Sequence, residues 1–186
     1  GQRIFMNGRT DGYVGIVESG VTIPANSVLF GKNTVNSSSD GVATQLIGIG
    51  FGTTNELGSV AIGYSASAKG DSVAIGRGAS NAGNNGTALG AFSKSQLFQA
   101  VAVGYNAHAK AKNSIAIGAN SSTGYRRSSY AATNSIAIGY GASTTTAASN
   151  SVAIGYNAKA EKKDNIVLGT EDTTVYIPGN LIVDKI

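Results

Sequence analysis

The chain has 186 residues, enough for one ordinary domain or a short run of repeats. Charged residues make up only 13%, cysteine is absent and His108 is the single histidine, which argues against disulfide scaffolds, Cys/His zinc sites and thiol chemistry. The ten carboxylates are scattered along the sequence, so we expect no enzyme, no metal and no cofactor. The hydrophobic fraction of 41% owes much to alanine, which predicts a thin repetitive fold.

The net charge of +4 is spread over dispersed lysines and arginines. The only adjacent cations are Arg126 with Arg127 and Lys162 with Lys163. Nucleic-acid binders concentrate their cations into a stripe or run, so we expect a solvated surface and no nucleic-acid partner. No apolar run approaches the ~18 residues that cross a bilayer, and we expect no membrane insertion by this segment. Gly1 in place of a methionine predicts a processed or excised piece.

The first 44 residues are predicted to form a β connecting segment. Residues 4–16 read IFMNGRTDGYVGI, two apolar stretches around a polar, glycine-containing centre. Such a pattern is typical of a strand, a turn and a second strand.

Residues 45–169 contain a short repeat. Near-identical pentapeptides of the form S-V/I-A-I-G begin at Ser59, Ser72, Ser114, Ser135 and Ser151. Their closing glycines and those of looser copies are Gly50, Gly63, Gly76, Gly90, Gly104, Gly118, Gly139, Gly155 and Gly169. Most of these glycines follow one another at 13 or 14 residues. This period is too short for a helix–turn–helix unit and fits one turn of a parallel β-solenoid.

Each coil is predicted to consist of two short strands and two bends. In the strand Val73, Ala74, Ile75, the two large side chains face one way and alanine faces the other. The closing glycine then permits a bend. Alternating alanines beyond it, such as Ala107 and Ala109, predict a second strand whose methyl groups fill a very narrow interior.

So small an interior predicts an oligomer. Each buried methylene contributes only ~0.8 kcal/mol, while ordering a residue costs ~1 to 2 kcal/mol of backbone entropy. The Val and Ile stripe that runs down every coil is most economically buried against the same stripe of identical chains. We therefore predict a three-fold bundle.

The register SVAIG-x-x-A-x-A-x-G-x-x-S over residues 45–169 resembles the head domain of trimeric autotransporter adhesins of the YadA type. The resemblance implies an all-β fold, a trimeric left-handed parallel β-roll, and a non-enzymatic adhesive function on a cell surface. It also implies homotrimer-core roles for Val60, Ile62, Val73, Ile75, Ile115, Ile117, Ile136, Ile138, Val152 and Ile154.

The C-terminal residues 170–186 depart from that family. They are predicted to form a β-hairpin connector, with a turn at Pro178-Gly179-Asn180 between two alternating strands. This ending resembles connecting segments of bacteriophage tail fibres and of mosaic bacterial fibres. The alternative function is therefore the rigid shaft or receptor-binding part of a tail fibre. Either function implies an extracellular location, on the outer surface of a bacterial cell or on a virion fibre.

An insertion between Gly118 and Ser135 is the candidate ligand-binding site, because it adds seven residues to the repeat. Its candidate contact residues are Tyr125, Arg126, Arg127 and Tyr130. Aromatic rings stack on sugars, and guanidinium groups pair with phosphate or carboxylate, which points to a cell-surface glycan, lipopolysaccharide or protein receptor. The alternative is a solvated loop whose tyrosines lie on the roll.

Three other features have a structural interpretation. His108 lies between two alanines on the outward phase of a strand, which predicts a surface imidazole. Tyrosines follow the closing glycine in several coils and are predicted to stack along the roll, although such a column could bind a ligand; they are Tyr64, Tyr105, Tyr140 and Tyr156. One bulky coil, with Phe92, Leu97 and Phe98, predicts a packing plug or a change of cross-section.

Overall fold

The computed structural model describes residues 3–7, 13–17, 27–36, 45–124 and 132–184. All regular structure in these ranges is β, and they contain no helix, hence no helix that could span a membrane. The strands form two sheets whose members alternate along the chain. The predicted all-β parallel solenoid is confirmed.

Sheet I has twelve described strands: β1 (Arg3–Asn7), β2 (Tyr13–Val17), β3 (Val28–Gly31), β5 (Ile47–Ile49), β7 (Val60–Ile62), β9 (Val73–Ile75), β11 (Thr87–Leu89), β13 (Val101–Val103), β15 (Ile115–Ile117), β17 (Ile136–Ile138), β19 (Val152–Ile154) and β21 (Ile166–Leu168). Sheet II has nine: β4 (Val35–Asn36), β6 (Thr54–Asn55), β8 (Ser67–Ala68), β10 (Ser80–Asn81), β12 (Lys94–Ser95), β14 (His108–Ala109), β16 (Ser122–Thr123), β18 (Ser143–Thr144) and β20 (Lys159–Ala160).

Each coil of the repeat contributes one strand to each sheet. From β2 onward in sheet I, and throughout sheet II, neighbouring strands are parallel, and equivalent residues of successive coils lie side by side, as Ala88 lies beside Ala102. The insertion does not disturb this register, since Ile115 pairs with Ile136 across it. The 13- to 14-residue period of the sequence is therefore the length of one coil.

The interior of the roll is filled by small side chains. Fully buried alanines include Ala61, Ala66, Ala68, Ala74, Ala88, Ala102, Ala107, Ala109, Ala116, Ala137, Ala153, Ala158 and Ala160. The predicted methyl-filled interior is thus confirmed. Buried hydroxyls share it: Thr123 Oγ1 donates to Ser114 Oγ at 2.8 Å, and Ser114 Oγ donates to the carbonyl of Ala111 at 2.6 Å. These hydroxyls are tolerated there because they are hydrogen-bonded, whereas both amide atoms of the buried Asn81 lack a partner among the described residues.

The closing glycines form a column in which successive coils touch. Gly104 has φ of +130°, and a Cβ built on it would lie 2.8 Å from the carbonyl carbon and oxygen of Gly118. Such a separation is shorter than real Cβ contacts, and such a φ is rarely adopted by residues with a side chain. Glycine here sets both the bend and the coil-to-coil spacing.

The N-terminal segment extends sheet I. Strands β1 and β2 pair antiparallel, which agrees with the predicted strand, turn and strand. Strand β2 then pairs in parallel with β3. Strands β3 and β4 precede residue 45, yet they pair with β5 and β6 in the two sheets. The domain limits at 44/45 and 169/170 stay a prediction.

The predicted C-terminal hairpin is wrong for the residues that the structure describes. Residues 170–184 contain no strand, although they hold two apolar runs, 175–177 and 181–183. Tyr176 and Ile182 are each 84% exposed. The physical reason is the absence of a surface to cover, because an isolated two-stranded hairpin is marginal in water without a further strand or layer.

Candidate binding surfaces of the roll

The outward face of sheet I carries the apolar stripe. The predicted core positions all lie on it: Val60, Ile62, Val73, Ile75, Ile115, Ile117, Ile136, Ile138, Val152 and Ile154. In each strand two of them flank a buried alanine, and they are partly exposed, with Ile75 at 39% and Ile154 at 40%. Their outward orientation is confirmed, while their role as a trimer core stays a prediction.

The outward face of sheet II is polar. The in-register row along this face is Ser67, Ser80, Lys94, His108, Ser122, Ser143 and Lys159. Side chains alternate across strands, so the buried partners of this row are the small interior residues. The two outward faces of one thin roll therefore differ completely in chemistry.

A shallow cleft of about 290 Å³ lies on sheet II. Its lining residues are Asn106, His108, Lys110, Asn120, Ser121, Ser122, Ser143, Thr144, Thr145 and Lys159. Lys110 Nζ donates to Ser122 Oγ at 3.0 Å. Burial lowers the pKa of Lys110, and the charge of nearby Lys94 lowers it further.

His108 faces outward between Ala107 and Ala109, as the sequence predicts, but it is half-buried. Its Nε2 atom is buried and has no hydrogen-bond partner among the described residues. The pKa of His108 is lowered mainly by burial, and the positive charges of Lys110 and Lys94 lower it further. The prediction of a plain surface imidazole therefore misses a desolvated ring beside two ammonium groups.

Sequence reasoning did not assemble this cleft, because its residues come from successive coils. The available signal was the spacing of 14 residues between Lys94 and His108, which equals one coil. Lys110 lies two residues beyond His108 and hence on the same face. Applying the repeat length to the charged residues would have brought the three together.

The corner after sheet I carries an aromatic column. Phe51 and Tyr64 stack with ring centroids 5.4 Å apart, and Tyr140 and Tyr156 stack at 5.7 Å. The predicted stacking along the roll is confirmed for these pairs. Tyr105 meets a neighbouring ring edge to face at 6.0 Å.

Phe92 is that neighbouring ring, and it carries the guanidinium of Arg77 4.7 Å from its centroid. Its φ is +58°, a left-handed conformation uncommon for a bulky residue. Phe98 is 42% exposed beneath Lys112. The predicted packing plug is therefore wrong for these rings, because they lie at the outer corners and the interior of their coils holds small side chains such as Ser93, Ser95 and Ala100.

Asparagines of the opposite corner form a ladder. Asn113 donates to Asn134, Asn134 to Asn150, and Asn150 to Asp164, each through its side-chain amide at 2.9 to 3.1 Å. All four residues have positive φ, which Asn and Asp tolerate better than other side chains. This ladder stabilises the turns. No cluster of side chains suited to a metal ion occurs in the ranges that the structure describes.

The candidate contacts Tyr125, Arg126, Arg127 and Tyr130 lie outside the described residues. The strands on either side of the insertion, β16 and β17, keep their places in the two sheets.

The fold and its surfaces define a rod-like β-roll protein of repeated coils. A family model described as YadA head domain repeat (2 copies) matches residues 57–79, 98–121, 131–158 and 147–170. A solved structure of the collagen-binding domain of the Yersinia adhesin YadA is 33% identical, over 68% of this chain and 74% of that chain, with a TM-score of 0.49. No curated protein sequence matches the chain. The repeat matches and the sequence identity show that the chain belongs to the YadA head-domain family.

Proposed function

We propose that this chain is a homotrimeric segment of an extracellular fibre that attaches to a cell surface, without catalysis. The observation that carries the proposal is the apolar stripe on sheet I in a chain of the YadA head family. The matched Yersinia domain is described as the collagen-binding domain of an adhesin, which supports an adhesive role here.

The stripe supports association between copies of the chain. The stripe runs from Ile47, which is 37% exposed, to Leu168, which is 46% exposed. Both outward positions of every strand between them are apolar, except that β11 has Thr87 at one of its two positions. Contiguous apolar patches of this extent mark interaction surfaces in soluble proteins. The same stripe in each copy is self-compatible under cyclic symmetry, so three chains would bury it around one axis.

Trimerisation of this kind would leave sheet II outermost. Three copies would present every contact three times, so weak individual contacts would gain strength through multivalency. The insertion residues Tyr125, Arg126, Arg127 and Tyr130 are proposed contacts to a cell-surface glycan, lipopolysaccharide or protein receptor, because they combine stacking rings with cations.

Attachment of the purified trimer to cells, with and without the insertion, tests the proposal. Shortening residues 119–134 to repeat length should leave the fold intact, since β15 and β17 are already in register. We expect attachment to fall markedly and to become less sensitive to salt, because loop cations would no longer contribute.

A matched charge comparison sharpens this test. The double variant Arg126→Gln/Arg127→Gln should weaken attachment, whereas Lys162→Gln/Lys163→Gln, which removes the same charge elsewhere, should not. Unchanged attachment by the shortened trimer would reassign the chain to a rigid shaft, including the shaft of a tail fibre.

A further inference from the structure

We infer that the cleft lined by His108, Lys110 and Lys159 on sheet II, together with Lys94 beside His108 in the preceding coil, binds the sulfate or carboxylate groups of an anionic polysaccharide. This inference rests on the proposed adhesive function and deepens it, because it assigns a target chemistry to a surface of the roll. It does not involve the insertion.

The basic groups are concentrated by the coil geometry. Lys94 and His108 are direct partners of parallel strands β12 and β14, so their backbones are about 4.8 Å apart on one face. Lys110 follows on the same face and is held there by its hydrogen bond to Ser122. Two adjacent coils thus present two ammonium groups and an imidazole together.

These groups oppose one another in the absence of an anion. Burial and then the neighbouring positive charges lower the pKa of both His108 and Lys110. An oxyanion in the cleft would reverse the electrostatic part of that effect, because an opposite charge favours the protonated forms. Charge-assisted hydrogen bonds from such cations are stronger than neutral ones.

The imidazole has hydrogen-bonding capacity that the described residues do not use. Nε2 of His108 is buried without a partner, which carries a desolvation cost. An anionic oxygen or a sugar hydroxyl entering the cleft, with a small rotation of the ring, would supply that partner. Hydroxyl and amide groups of Ser122, Ser143 and Asn106 also line the cleft and suit the hydroxyl groups of a sugar chain.

The shape of the cleft favours an extended ligand over a single ion. His108, Ser122, Ser143 and Lys159 occupy successive positions along the roll axis, so the cleft spans three coil steps, or roughly 14 Å. Lys159 at the far end is paired with Glu161 at 2.5 Å, and this carboxylate leaves the Lys94 end as the more attractive one.

The lining argues against a nucleic acid. Sequence-tolerant binding of single strands uses aromatic platforms for the bases, and no aromatic side chain other than the imidazole lines this cleft. The aromatic side chains at the corner after sheet I line a separate pocket with Tyr64, Arg77 and Phe92, which shares no lining residue with the cleft. Sheet II is also opposite the apolar stripe, so association through sheet I would leave the cleft open.

Titration calorimetry of the purified protein with persulfated maltohexaose tests the inference, with unsulfated maltohexaose as the neutral probe. We expect binding of the sulfated probe alone. The variant Lys94→Gln/Lys110→Gln should weaken it by about tenfold, as for the loss of two partly exposed ion pairs. The control Lys162→Gln/Lys163→Gln removes the same charge outside the cleft and should bind as the unaltered protein does.

Further arms separate the sources of the anion. Inorganic sulfate, at equal total sulfate, should compete far less well than the hexasaccharide; equal competition would overturn the inference of an extended ligand. If a single-stranded oligodeoxynucleotide binds as tightly as the sulfated hexasaccharide and loses its binding in Lys94→Gln/Lys110→Gln, that result would overturn the choice of polysaccharide. Equal losses in both double variants, or no loss in either, would overturn the site.

Cell attachment measured in parallel separates this inference from the proposed function. If the variant Lys94→Gln/Lys110→Gln attaches to cells and also binds the sulfated probe normally, the cleft is not the binding site, and the proposed adhesive function is unaffected. Failure of the unaltered trimer to attach to any cell would reject the adhesive role, whatever the calorimetry shows.

Discussion

The two sheets of the roll share one interior and differ in what they present outward. Six strands of sheet I place isoleucine or valine on both sides of an inward alanine, as Ile115 and Ile117 flank Ala116. Strands of sheet II place Ser, Thr, Lys or His outward over equally small interior residues. In so thin a solenoid, interior packing fixes every second residue and leaves the other face to serve assembly or recognition.

The comparison also explains the distribution of large side chains. An interior made mostly of alanine, serine and threonine is too narrow for an aromatic ring, so rings such as Tyr64 and Phe92 occupy corners. Stability then depends on a ladder of equivalent contacts between coils, and each coil contacts mainly its neighbours.

The largest effect is expected from charging sheet I. Ile75→Asp should prevent trimer assembly, because three carboxylates would meet near the axis and an unpaired buried charge costs about 3 to 5 kcal/mol. Ser80→Asp, in the same coil but on sheet II, is the matched control and should assemble normally. Light scattering of both variants measures the difference; a trimer in both would show that sheet I is not the contact face.

The next effect concerns the glycine column that the two sheets share. Gly104→Ala should lower the free energy of unfolding by about 1 to 3 kcal/mol, because the new Cβ meets the next coil and the positive φ becomes strained. Gly179→Ala, which has no heavy atom within 4 Å of its Cβ position, should be neutral. Thermal unfolding followed by circular dichroism compares them, and equal melting temperatures would contradict the stacking argument.

A smaller effect is expected inside the roll. Thr123→Val removes the hydrogen bond to Ser114 and should cost about 1 kcal/mol. Thr54→Val makes the same change on the outward side of sheet II and should cost less. Chemical denaturation of the two variants gives the comparison, and an equal cost would show that the interior hydroxyl network contributes nothing specific.

The smallest effect is a pH dependence on sheet II. The pKa of His108 is lowered in the folded state, so the unfolded chain binds the proton more readily and acid destabilises the fold. The loss begins as pH falls through the unfolded value near 6.5 and ends below the folded value.

Melting temperatures between pH 7.5 and 5 should therefore fall slightly, and His108→Gln should remove that component. The charged groups beside the ring are Lys94 on the preceding strand and Lys110 on its own segment, with Lys159 further along the cleft. Binding of persulfated maltohexaose should rise over the same range, since protonation adds a positive charge to the cleft. An unaltered pH profile in His108→Gln would assign the dependence to other groups.

Much of the fold was predictable because the same local sequence pattern recurs in most coils. Ser-Val-Ala-Ile-Gly defines a strand, its inward residue and its bend, and the coil length follows from the distance between copies. The C-terminal hairpin was not predictable in the same way. The β-branched and aromatic residues at 173–177 and 181–183 indicate strand propensity, but a strand also needs a neighbour, which a local pattern does not supply.

The sequence by itself determined the coil, its inward alanines and the outward apolar stripe, since strand alternation has a period of two and the closing glycines permit the bend after each strand of sheet I. Only the tertiary structure decided which distant residues became neighbours. It brought Lys94, His108 and Lys110 together and desolvated the imidazole. It also placed Phe92 beneath Arg77 at an outer corner. The physical reason is that coil stacking turns a separation of 13 to 14 residues into a contact of about 4.8 Å.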